Sequence, residues 1–345
     1  MTTPIPRIGC ACKWIKDPTE VAGLKPSSVD RDLNGRSTTM RWLREHPEEA
    51  EQRQWDIMNH NAAAAVKLIE RVGSLEPELR MVRLGSEMLQ GYTEPRWQAW
   101  WQRQEIQDHL ARIFAPIGET ARRLGVRLSF HPGQFCVLAS DNPGIVERSI
   151  EEFEYHADMV RWMGFGKKFQ DYKINIHISG RQGPEGIRRA YSKLSPEARN
   201  CITIENEEIT HGIEHCLSLS DIIPTVLDIH HYVIREGQYI DPRGDTCRRV
   251  IDSWRGHRPT LHYSISREDL LVGHDALTLP NIPKLLDEGF KKQKLRAHSD
   301  FMWNHAMNEY ALSFLEWGDI MVEAKGKNLA SFKLYEEAKQ IGLFS

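Results

Sequence analysis

The chain has 345 residues, with 45 Lys plus Arg against 48 Asp plus Glu and a net charge of −3. That balance excludes a tail or domain that holds nucleic acid by bulk charge, while a local basic rim stays open. No run approaches the roughly 18 apolar residues of a membrane span, and the start MTTPIPRIGC has no apolar signal core, so a cytoplasmic protein is expected.

Arg7–Cys12 reads as the first strand, and a polar segment containing KDP, KPSS and NGRS follows to about Arg53. A loop of that length after a strand usually belongs to a functional face. Gln54–Val72 is helical, with Ala62–Ala65 leading into a Val66/Leu68/Ile69 stripe. Met81–Gly85 is the second strand, Trp97–Leu124 a helix and Arg127–His131 the third strand. Pro143–Met163 is a helix opened by an Asp141-Asn142-Pro143 cap. Strands four to six centre on Ile174–Ile178, Cys201–Glu205 and Thr225–Ile229, with short helices around Gly186–Leu194 and His211–Leu219. The helix Asp241–Trp254 and strand seven, Thr260–Ser264, come next. A polar excursion, Ser266–Asp300, precedes the helix Asn304–Trp317, strand eight (Asp319–Ala324) and a closing helix, Phe332–Ile341. Repeated βα units of this kind predict an α/β fold, a TIM (β/α)8 barrel in one domain over 1–345, with long loops after strands 1 and 7. The six cysteines (Cys10, Cys12, Cys136, Cys201, Cys216, Cys247) form no CxxC pair and read as reduced thiols.

In such a barrel the C-terminal ends of the strands converge on one mouth. Seven metal-capable residues follow apolar runs: His131, His177, Glu205, Asp228, His231, His262 and Glu323; His298, in RAHSDF, stands outside that pattern. One such histidine alone is more often a rim or core residue, but repetition at one mouth makes a polynuclear metal site. A carboxylate placed straight after Cys-Ile-Thr-Ile, as Glu205 is, would be buried at high cost without a compensating cation. The alternative for Glu323 is a salt bridge to a nearby base such as Lys325. In Asp228-Ile-His230-His231, strand alternation pairs Asp228 with His230, whereas His231 joins only if the chain turns there. The other histidines (46, 60, 109, 156, 211, 215 and 257) sit on helical or polar sequence and read as solvated. Lys291, Lys292, Lys294 and Arg296 lead into His298 and could hold phosphates, and Gln134-Phe135, after His131, could wedge into a duplex.

Several segments, HPGQF (131–135), IVERSIEEFEYHADMVRWMG (145–164), HISG (177–180), ENEE (205–208), DIHH (228–231), LHYS (261–264), AHSD (297–300) and VEAKGK (322–327), together resemble the ultraviolet-damage endonuclease family of endonuclease-IV and xylose-isomerase-like barrels. The resemblance implies that His131, His177, Glu205, Asp228, His231, His262, His298 and Glu323 bind two or three divalent ions, usually Mn²⁺, with Zn²⁺, Mg²⁺ and Co²⁺ as further options. It selects His231 over His230, gives Glu205, Asp228 and Glu323 catalytic roles, and makes Gln134 and Phe135 the lesion-probing pair. Three positions depart from the family pattern: Glu94 stands for a metal-binding His, Thr260 for a modifiable Lys, and Cys10 for an aromatic. The implied activity is metal-dependent nicking of lesion-bearing double-stranded DNA, 5′ to photoproducts and other distortions, by a monomer with no membrane partner. A sugar isomerase or epimerase on the same barrel, and a non-catalytic lesion-binding protein with a residual metal site, are the competing expectations.

Overall fold

The computed structural model describes residues 5–17 and 28–344, and the KDP and KPSS stretches run into residues outside that description. Among the described residues, eight strands form one all-parallel sheet: β1 (Ile8–Ala11), β2 (Met81–Arg83), β3 (Arg127–Phe130), β4 (Lys173–His177), β5 (Ile202–Glu205), β6 (Thr225–Val226), β7 (Thr260–Tyr263) and β8 (Asp319–Val322). Their order is β6-β5-β4-β3-β2-β1-β8-β7. The ring closes just past β6, where Asp228 bridges His262 and the His262 amide donates to the Leu227 carbonyl at 3.0 Å. The expected (β/α)8 barrel is therefore present.

Alternation along the strands builds two environments. Leu128, Phe130, Ile174, Ile176, Ile202, Ile204, Leu261, Tyr263, Ile320 and Val322 point outward into the apolar shell beneath the helices. The residues between them face the axis, and most are polar. At the floor, Asp319 accepts from Arg127 Nη1 at 2.6 Å, Arg258 Nε at 2.7 Å and the Arg7 amide at 3.0 Å. Above it sits a small plug of Ala11, Met81 and Met321. Asn175, Thr203 and Thr260 are buried beside it, and the mouth residues lie one pleat higher.

The helical sequence matches in place and differs in bounds. Gln54–Val72 lies inside Pro47–Gly73, and the expected Trp97–Leu124 is broken at Gln102–Arg103 into Pro95–Trp101 and Gln104–Leu124. The post-β1 loop carries a helix, Met40–Glu45, and the post-β7 excursion carries two, Ile282–Asp287 and Lys292–Leu295. Strand six is shorter than expected because Asp228 caps the helix Ile229–Glu236, its Oδ1 accepting from the His231 amide at 2.7 Å. His156, expected in solvent, is fully buried against Phe130 and Tyr155. All six cysteines are free thiols, five of them buried. No described helix is long and apolar enough to cross a membrane.

Candidate metal centre

Glu205, at the end of β5, is the hub. His131 Nε2, just past β3, lies 3.3 Å from its Oε2, and His262 Nδ1, on β7, lies 3.1 Å from the same oxygen. The His262 Nδ1 is also 3.3 Å from Glu323 Oε1, and the His131 and His177 rings are 4.9 Å apart. Donor atoms converge in three overlapping groups, each within 4.8 Å: His131/His262/Glu323, His131/His177/Glu205 and Glu205/Asp228/His262. His231 Nδ1 stands 3.7 Å from Glu205 Oε1 and 3.8 Å from Asp228 Oδ2. His298 lines the same mouth beside His177 and His231. Glu94 belongs to none of the three groups and stands at the N-terminus of the helix Pro95–Trp101.

The choice between the paired histidines follows from the cap. With the chain turning into a helix at Asp228, the residue three positions on, His231, shares its side. His230 turns away instead, its Nε2 3.1 Å from the Leu295 carbonyl. Strand alternation failed here because the strand had already ended.

The donor set fits divalent cations on three counts. Glu205 Oε1, Asp228 Oδ2 and His262 Nδ1 are buried without a hydrogen-bond partner, and their residues are one of the three converging groups. Orphaned buried polar atoms are costly unless an ion satisfies them. His131 Nδ1 lies 2.9 Å from the Pro132 carbonyl and His231 Nδ1 2.9 Å from the Asn206 carbonyl. Each contact holds a ring N–H and turns Nε2 toward a carboxylate, Glu205 for His131 and Glu208 for His231, the arrangement of a metal-binding imidazole. Finally, mixed imidazole and carboxylate donors suit Mn²⁺ or Zn²⁺.

The electrostatics divide the carboxylates. Burial pushes Glu205 upward, but the imidazoles of His262, His177 and His131 hold it well below the usual carboxylate range. Glu323 is also raised by burial and held low by Arg83 and His262. Asp228 goes the other way, driven well up by burial and by the charges of Glu205 and Glu323. Burial lowers His231, yet Asp228, Glu205 and Glu208 raise it to about 9. Burial and Lys173 push His262 down to about 4. One added dication would relieve the Asp228 penalty that neighbouring carboxylates create.

A supporting shell was not singled out in the sequence. Arg83 donates to Glu323 and, through Nε at 3.2 Å, to Cys12 Sγ. Glu323 therefore pairs with Arg83, whereas Lys325 lies 3.3 Å from Asp300. Asn175 donates to Glu205 and accepts from Thr203 Oγ1 at 2.7 Å. Lys173 Nζ lies 3.1 Å from His262 Nε2, so a lysine reaches this histidine from β4 although position 260 is threonine. Burial drops that amine to about 7. With Nδ1 left for a cation, the His262 proton sits on Nε2, facing the Lys173 amine. The signal was the alternation Lys173-Ile-Asn175-Ile-His177, which puts all three polar residues on one face.

The mouth opens into a cavity of about 740 Å³ lined by Gln134, His177, Glu208, His231, Lys294 and His298 among others. Phe135, next to the lining residue Gln134, is 85% exposed. Of the expected phosphate contacts, Lys291 and Lys294 are exposed. Lys292 Nζ instead donates to the Arg235 carbonyl at 3.0 Å, and Arg296 donates to Glu208. Cys10 is buried in the shell and does not reach the mouth.

Several known proteins resemble this chain over most of its length. A UV DNA damage endonuclease of Bacillus velezensis is 28% identical over 240 residues, covering 66% of this chain and 67% of that protein. One from Bacillus mycoides is 24% identical over 320 residues, covering 87% of each. The crystal structure of SacUVDE superposes with a TM-score of 0.72 at 23% identity, over 98% of this chain and 100% of that one. Endonuclease IV from Thermus thermophilus shares the barrel with a TM-score of 0.50 at 14% identity, over 81% and 93%. Residues 23–343 match the sequence model of the UV-endonuclease UvdE family, and the chain belongs to that family.

Proposed function

We propose that the protein is a metal-dependent endonuclease that nicks duplex DNA on the 5′ side of photoproducts and other distorting lesions. The observation that carries this reading is the set of three orphaned donor atoms, on Glu205, Asp228 and His262, buried next to His231, which lines a wide cavity. His131, His177, Glu205, Asp228, His231, His262, His298 and Glu323 would hold two or three divalent ions, with Mn²⁺ first. Bound there, such ions supply an acidified water and neutralise charge on a phosphate. Glu205, kept ionised by its imidazoles, accepts a proton only with difficulty, so it serves as an anchor. Asp228 would share the ions with it, which relieves the repulsion from Glu205 and Glu323 that raises its carboxyl. Lys294 steers the phosphates, while Gln134 and Phe135 press on the base stack and favour steps that are cheap to distort. A sugar isomerase would need a compact enclosed pocket, and the open 740 Å³ mouth speaks against one. Ultraviolet-irradiated and undamaged plasmid, each with Mn²⁺ or EDTA, form the test. Nicking confined to irradiated DNA with Mn²⁺, and absent in Glu205→Gln, is the expected result; equal nicking with EDTA would sink the reading.

A further inference from the structure

The most exposed apolar side chains of this molecule share one face. Four large apolar side chains are more than half exposed among the described residues: Val272 at 86%, Phe135 at 85%, Leu277 at 73% and Ile209 at 56%. All four stand on loops that leave the C-terminal ends of strands, beside the metal centre. Phe135 follows β3, and Val272 and Leu277 follow β7. In a closed ring of eight, β3 and β7 are four strands apart in both directions. The loops that carry the two most exposed apolar side chains therefore leave strands on opposite sides of the ring.

The post-β7 tip is built to hold that exposure. Leu271 is buried directly beneath Val272, and Gly273 turns the chain at φ +79°. Trp303 Nε1 donates to the Ser266 carbonyl at 2.8 Å, Asn304 Nδ2 to the Thr278 carbonyl at 3.0 Å, and Tyr239 Oη to the Pro280 carbonyl at 2.7 Å. An apolar side chain fixed in water on a pinned loop is pre-organised for a partner. Two acids of the tip have local partners: Asp269 pairs with Arg267, and Asp275 accepts from the Leu277 amide at 2.9 Å. They repel phosphate, so the tip suits bases and sugars, while Lys291 and Lys294 farther along suit the backbone.

Resting on the nuclease reading above, we propose that the segment from Ser266 to His298 is a second arm that grips the duplex opposite Phe135. Val272 and Leu277 make apolar contact with DNA on the far flank of the lesion. The test compares wild type with Val272→Ser/Leu277→Ser and with Val272→Phe on a lesion-bearing duplex. The double variant should raise KM roughly tenfold with kcat within about twofold, and shorten the hydroxyl-radical footprint on one flank only. Val272→Phe should lower KM through a larger wedge. Unchanged KM and footprint in both variants, with wild type nicking normally, would overturn the arm and leave the nuclease reading intact. Failure of wild type to nick any damaged DNA overturns the nuclease reading, and the arm with it.

Discussion

Replacing Asn175 with Ala separates the metal centre from the fold that supports it. The Asn175 side chain is fully buried, donates to the Glu205 carboxylate and accepts from Thr203 Oγ1 at 2.7 Å. The hydrogen bond to the charged partner contributes about 1.5–3 kcal/mol and the neutral one about 0.5–1.5 kcal/mol, so the metal-free protein should lose roughly 2–4 kcal/mol. Glu205 then keeps its imidazole neighbours and loses the amide that fixes its plane, which typically weakens metal affinity about 10- to 100-fold. At a Mn²⁺ concentration about 100 times the wild-type Kd, binding adds about 2.7 kcal/mol to wild-type stability, whereas a tenfold weaker site gains about 1.4 kcal/mol. Urea unfolding with EDTA and with Mn²⁺ gives both numbers. An equal Mn²⁺ gain in the two proteins would refute the argument that Asn175 positions the carboxylate, whatever happened to the metal-free stability.

Further outcomes follow from other contacts. Arg83→Lys cannot reach both Cys12 and Glu323 with one ammonium, so Mn²⁺ affinity should fall at least about tenfold in a titration; an unchanged isotherm counts against it. Lys291→Ala and Lys294→Ala should each reduce the salt slope of DNA binding by about one, while Lys292→Ala leaves it in place because its ammonium is already bound to the Arg235 carbonyl. A reduced slope in Lys292→Ala would contradict this. Burial depresses His156 to about 4. Between pH 6.5 and 4 the unfolded chain therefore takes up a proton that the native state refuses, and stability falls as the pH drops. Relative to His156→Met, wild type should lose stability across that window and run parallel to it above about pH 7, as followed by denaturant unfolding at stepped pH.

The strand positions and the mouth residues were legible because period-2 alternation survives in short parallel strands: Leu128/Phe130, Ile174/Ile176 and Ile202/Ile204 mark one face, and the metal-capable residues end the other. Where a strand stops was harder to read. Thr225–Ile229 looks extended, yet Asp228 is a good N-cap, and that competing preference turned His231 inward and His230 away. The supporting shell was written in the same alternation, as Lys173 and Asn175 below His177, but residues below a mouth attract no attention without the knowledge that a barrel axis is polar. The role of Arg83, and the real partner of Lys292, were unreadable for another reason. Their partners, Glu323 and the Arg235 carbonyl, are 240 and 57 residues distant, and only the closed ring brings them together.

The seam between β6 and β7 has a consequence for how this molecule breathes. Its last rung is the amide of His262 on the Leu227 carbonyl, beside the bridge to Asp228, and both histidine and aspartate belong to the cation site. A dication held between them would act as a rivet across a join that strand pairing leaves thin. Loading the protein with Mn²⁺ should slow hydrogen–deuterium exchange at the His262 amide far more than at amides of β3 or β4, so ion occupancy and barrel closure rise and fall as one equilibrium.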